Sequence, residues 1–112
     1  MELLGVSLEN IFQKHDRILK INNIYKLAID MISILEYFHN NGFIHRDIKP
    51  KNFLFNYTKP YNKLYLMDFG LSKQYIQNNK HIDLKTDRSL IGTARYASLN
   101  IHWGIEPSRR DD

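Results

Sequence analysis

A chain of 112 residues with 43% hydrophobic and 25% charged content holds at most one ordinary domain, and its composition is globular rather than disordered. Its formal charge of +4 comes from scattered Lys and Arg with no aromatic–basic alternation, which argues against a nucleic-acid platform. Without cysteine there are no disulfides, thiolate metal sites or cysteine nucleophiles, as suits a reducing compartment; no apolar run approaches the ~20 residues of a membrane span, and Met1-Glu2-Leu3-Leu4-Gly5 does not open a signal peptide.

Taken in chain order, Ser7 is placed to cap a short helix through Leu8 and Phe12. Residues 22–41 carry the clearest helical period, with Ile24, Leu27, Ala28, Met31, Leu35 and Phe38 on one apolar face. Asn22 or Asn23 is the expected cap, and Gly42 suits the left-handed position just past the end. Ile32 and Ile34 widen the stripe, so cover on more than one side is expected. Phe43-Ile44, Phe53-Leu54-Phe55 and Leu64-Tyr65-Leu66-Met67 then read as short strands, the last two joined by the turn-forming NYTKPYN. Leu71 to Asp87 is polar and aperiodic and reads as a long exposed loop, which in a compact domain is commonly functional.

Between the strands lies a charged stretch, IHRDIKPKNFLF, from Ile44 to Phe55. It supplies His45-Arg46-Asp47, Lys49 and Asn52; Asp68-Phe69-Gly70 follows the next strand. Such a set fits phosphoryl transfer, which needs positioning and charge neutralisation more than covalent chemistry. Asp47 can orient or accept the proton of an attacking hydroxyl, Lys49 can offset phosphate charge, and Asn52 and Asp68 offer the hard oxygens that Mg²⁺ prefers. These eight residues in fixed order arise by chance on the order of 10⁻¹⁰ per position. His45 reads as a packing residue that orients the loop, and Arg46 as an anchor for the segment after Asp68. Met1, Leu54 and Met67 serve equally well as core residues or as the lining of an adenine pocket.

The order of these motifs resembles eukaryotic protein kinases, and within them the casein kinase I family. MELLGVSLENIF is similar to that family's hinge and following helix, FIHRDIKPKNFLF to its catalytic loop, and LYLMDFGLSKQY to its metal-binding loop. In GTARYASLNIHWGIEPSRRDD, the triplet Ser98-Leu99-Asn100 stands where most kinases carry Ala-Pro-Glu and casein kinase I members a Ser-Ile-Asn-like sequence.

The resemblance implies an α+β, partial protein-kinase-like fold, mainly C-lobe, spanning residues 1–112 from the hinge to the start of the central helix. It implies a serine/threonine kinase using ATP and Mg²⁺, with Asp47 as base, Lys49 on the phosphate, and Asn52 and Asp68 on the metal. Thr93 would bridge Asp47 and Lys49. Glu2 and Leu4 would meet adenine, Ser7 and Asn10 the ribose, and Leu54 and Met67 the pocket floor. Arg95 would belong to a site for acidic or pre-phosphorylated protein substrates, and Asp112 would brace the catalytic loop. A monomer in the cytoplasm or nucleus, without membrane or nucleic-acid partners, follows from the same resemblance. Departures are Val6 for a usual proline, Asn10 for an aspartate, Lys51 for an acidic residue and Trp103 for a leucine.

A glycine-rich phosphate loop, a Val-Ala-Ile-Lys lysine and its partner glutamate do not occur in these residues. The expectation is therefore the middle of a kinase domain, with about five large apolar side chains of helix 22–41 left without their partner helix, loose packing, and negligible activity alone. The competing reading is a non-catalytic, truncated kinase-like protein that acts as a binding module.

Overall fold

The computed structural model describes every residue except Met1, Glu2, Lys59 and Tyr61. In chain order the elements are β1 (Leu4–Ser7), α1 (Leu8–Lys14), α2 (Ile21–Asn40), β2 (Phe43–Ile44), a 3₁₀ turn (Pro50–Asn52), β3 (Phe53–Asn56), β4 (Leu64–Leu66), a 3₁₀ turn (Phe69–Leu71), β5 (Lys73–Gln74), β6 (Ile76–Gln77), β7 (Lys80–His81), α3 (Leu99–His102) and a last 3₁₀ turn (Arg109–Asp111). The result is a partial α+β kinase-like fold of few helices and small antiparallel sheets. The residues divide into two compact units, 1–34 with 50–68 and 35–49 with 69–112; α2 contributes to both.

The first unit is a three-stranded antiparallel sheet in the order β1-β3-β4, with α1 against it. Ser7 closes β1 and caps α1, its Oγ accepting from Asn10 N at 3.2 Å. Along β4 the pleat buries Leu64 and Leu66 while Tyr65 faces outward, and Phe53, paired with Leu66, is fully buried. β1 approaches β3 closely at Gly5: a Cβ there would lie 2.8 Å from Asn56 O. The turn after β3 is organised by the Asn56 side chain, whose amide donates to Thr58 O and to Pro60 O while its Oδ1 accepts from Asn62 N and Lys63 N.

Helix α2 occupies the expected span, with two corrections. It begins at Ile21, where the Lys20 carbonyl accepts from Asn23 N (2.9 Å) and Ile24 N (3.2 Å), so both asparagines sit inside the first turn rather than capping it. None of its residues is buried, and Ile29 and Ile32 are 65% and 66% exposed, so the widened stripe is not covered on several sides. Its end is as expected: Gly42, at φ +84°, donates to His39 O at 2.9 Å. No helix among the described residues is long and apolar enough to cross a membrane.

In the second unit β2 pairs with β5, Phe43 opposite Gln74 and Ile44 opposite Lys73. The segment expected as a plain loop, 71–87, instead contains β5 and the β6–β7 hairpin. That hairpin turns through Asn78 and Asn79, both left-handed at φ 51° and 60°, the geometry of a two-residue hairpin loop. Tyr75 is buried between these ladders, its hydroxyl donating to His39 O at 2.8 Å and its ring under the Arg109 guanidinium at 5.2 Å.

Candidate active site

The turn after β2 places three polar residues in succession. His45 is fully buried against the rings of Phe38 (6.1 Å between centroids) and Phe69 (5.6 Å), and its Nδ1 accepts from Asp47 N at 3.3 Å. Arg46 adopts φ +70° and extends its Nε to Leu71 O at 2.5 Å. Burial lowers the Arg46 guanidinium's pKa, against the opposing charges of Glu106 and Asp112. The backbone of this turn is held by one carboxylate: Asp112 Oδ2 accepts from His45 N at 2.7 Å and lies 2.9 Å from His39 Nε2, and Asp112 Oδ1 accepts from Arg46 N at 2.7 Å.

Asp47, 8% exposed, is engaged at both oxygens. Its Oδ1 accepts from Thr93 N (3.0 Å) and Thr93 Oγ1 (2.7 Å); its Oδ2 accepts from Lys49 Nζ (2.6 Å), which also donates to Thr93 Oγ1 at 2.9 Å. This triangle fixes a carboxylate, an ammonium and a hydroxyl at charge-assisted distances. Gly92 makes it possible. At φ +84° its position would put a Cβ 2.3 Å from Arg46 O, so a side chain there would push Thr93 away from Asp47.

In the first unit, Asn52 and Asp68 end the two strands of one hairpin, where Met67 N donates to Asn52 O at 2.9 Å. Asn52 is buried and Asp68 exposed at φ +66°. One carboxylate and one amide oxygen are a donor set that suits Mg²⁺, which keeps waters and phosphate oxygens for its remaining positions. Leu4, Ser7 and Leu54 lie on the β1-β3 pair, Ser7 opposite Leu54 and Leu4 opposite Asn56; Asn10 is exposed one turn into α1, and Met67 follows β4 half-buried. Glu2 lies outside the described residues. Arg95 is exposed in the second unit, its guanidinium 5.9 Å from the Tyr96 ring centroid and in no ion pair among the described residues.

Two more buried carboxylates order the chain after Thr93. Ser98 Oγ and Asn100 Nδ2 both donate to Asp111 Oδ1, at 2.7 and 3.1 Å, and Ser108 N donates to its Oδ2 at 2.9 Å. The two polar members of the Ser98-Leu99-Asn100 triplet thus converge on one acceptor, while Ser98 also caps α3. Glu106 was not foreseen from sequence, nor was the role of Gly92; a glycine directly before a hydroxyl residue in GTARY was the available signal for the latter.

Burial pushes the Asp111 and Glu106 carboxyls up, but their partners outweigh it and hold both below the ordinary carboxylate range: Ser98, Ser108, Asn100 and Arg110 for Asp111, Lys73 and Arg88 for Glu106. A carboxyl depressed in the folded state stabilises it above its ordinary pKa, 3.8 for Asp or 4.5 for Glu, and that contribution is lost as pH falls through the lowered folded value. Urea midpoints measured between about pH 6 and about pH 3 are expected to fall with acid, and to fall less steeply in Asp111→Asn. An unchanged acid slope in that variant would contradict the assignment.

Compared with models of known families, the chain matches the protein kinase domain over residues 1–101. With an aspartate, lysine and threonine locked together after β2, and an Asn–Asp oxygen pair at the end of the β3–β4 hairpin, the chain belongs to the protein kinase family.

Proposed function

We propose that these residues form the central part of a serine/threonine kinase domain of casein kinase I type, which transfers the γ-phosphate of ATP to protein substrates carrying acidic or phosphorylated segments. The observation that carries the reading is the Asp47–Lys49–Thr93 triangle. Lys49, two residues after the base, is the spacing of serine/threonine rather than tyrosine kinases by the resemblance stated above. Asp47 Oδ2 is the group that would receive the hydroxyl proton, and Lys49 would steady the phosphate as that proton leaves. Asn52 and Asp68 would hold Mg²⁺, which when bound neutralises phosphate charge. Leu4, Leu54 and Met67 would seat adenine, Ser7 and Asn10 the ribose, and exposed Arg95 an acidic or phosphorylated side chain. A monomer working in the cytoplasm or nucleus is part of the same proposal.

The span 1–112 is read as part of the domain, supported by the uncovered apolar side chains of α2 and by the lack of a glycine-rich loop in the sequence. The purified 112-residue chain is expected to transfer negligible phosphate to casein. The same residues joined to a glycine-rich lobe and a central helix are expected to be active on Ser and Thr peptides, and Asp47→Asn to cost about 10²–10⁴-fold. An extended chain that is inactive, or equally active as Asp47→Asn, would favour the binding-module reading.

A further inference from the structure

Glu106 lies outside the Asp47 triangle, yet it joins the two chain segments that reach it. Its carboxylate is 5% exposed and each oxygen takes a different cation: Oε1 is 2.5 Å from Lys73 Nζ and Oε2 is 2.9 Å from Arg88 Nε. Lys73 belongs to β5, which lies beside β2, and β2 runs directly into His45-Arg46-Asp47. Arg88 belongs to the segment that ends in Gly92 and Thr93, whose N–H and hydroxyl meet Asp47 Oδ1. The backbone repeats the link: Glu106 N donates to Lys85 O at 2.8 Å, and Arg88 N to Gly104 O at 2.9 Å. A cavity of about 460 Å³, lined by Lys73, Lys80, His81 and Lys85 with Asp83, opens onto Glu106. Its wall is predominantly cationic, so Glu106 supplies a negative charge that the surroundings require.

We infer that Glu106 is a positioning residue that orders the loop 83–92 as a built-in anion, so that Thr93 reaches Asp47 without any phosphate being added to the loop. In kinases whose loops are ordered by phosphorylation, new Arg–phosphate pairs do this work; here a carboxylate already stands between the cations. The inference rests on the kinase reading for its meaning but not for its test. Removing the charge leaves Lys73 and Arg88 mutually repelling, and an external divalent anion can then take the vacated place.

The experiment is amide hydrogen exchange over 83–92 and 45–49 in the full chain, which needs no catalytic turnover and so separates failure of this inference from failure of the kinase reading. Glu106→Gln is expected to lose about tenfold protection in both segments. Sodium sulfate is expected to restore it, sodium chloride at equal ionic strength to leave it lost, and the parent chain to respond to neither. Unchanged protection in Glu106→Gln, a loss that sulfate does not reverse, or equal gains in parent and variant would overturn the inference. If Glu106→Gln fails to fold, Arg88→Gln decides: lost protection in 83–92 supports the clamp, and retained protection refutes it.

Discussion

Replacing Gly92 by valine is expected to destabilise the second unit by about 3 kcal/mol or more, with loss of the Thr93 contacts to Asp47. Two costs combine. The φ of +84° is unfavourable for any L side chain, by about 1–2 kcal/mol and more when β-branched. A Cβ would also lie 2.3 Å from Arg46 O, a backbone atom that cannot turn aside as a flexible side chain would. The chain must therefore shift at Gly92 or at Arg46. Either movement separates the N–H and hydroxyl of Thr93 from Asp47 Oδ1, bonds to a charged acceptor worth about 1.5–3 kcal/mol each. Urea denaturation should show a lower midpoint at unchanged slope, and the Thr93 amide should exchange faster. Alanine carries the same Cβ and should show most of the effect. A valine variant within about 0.5 kcal/mol of the parent would contradict this account of the turn.

Asp112→Ala is expected to cost about 3–5 kcal/mol, comparable to the low end of a whole domain's stability. Its carboxylate is the shared acceptor of two consecutive backbone N–H groups, His45 and Arg46, and lies against His39. With alanine, those donors lose their acceptor in a part-buried turn, and nothing compensates the left-handed backbone of Arg46. Arg46 would relax to negative φ and withdraw its Nε from Leu71 O. Asp112→Asn keeps the shape and one acceptor oxygen, so it should cost roughly half as much. Equal unfolding midpoints for the alanine variant and the parent would show that the turn is held by its other contacts.

Much of this arrangement was legible because it rests on long or repeated patterns. Helix α2 shows its period over five turns, the strands around Phe53 and Leu66 alternate, and Ser7 announces a cap. The catalytic set could be read because its chemistry demands particular residue types at fixed offsets. Segment 71–87 could not, since strands of two residues carry no periodicity; only the Asn78-Asn79 pair, both tolerant of positive φ, marked a hairpin. The start of α2 was misplaced because Lys20 caps with its carbonyl, which leaves no side-chain signature. Glu106 was invisible for another reason: its partners Lys73 and Arg88 are distant in sequence, and one glutamate among scattered charges looks like any solvated one.

The reach of the Asp112 contacts carries a consequence for biosynthesis. Its carboxylate binds backbone groups 66 and 67 residues earlier in the chain. Synthesis proceeds from the N-terminus at about 5–20 residues per second. The β3–β4 hairpin and α2 can therefore form as they leave the ribosome, several seconds before the turn at His45–Asp47 receives its acceptor. Until then that turn has no reason to hold Arg46 in the left-handed region. The catalytic loop is thus translated early and completed last, when Asp112 emerges from the exit tunnel.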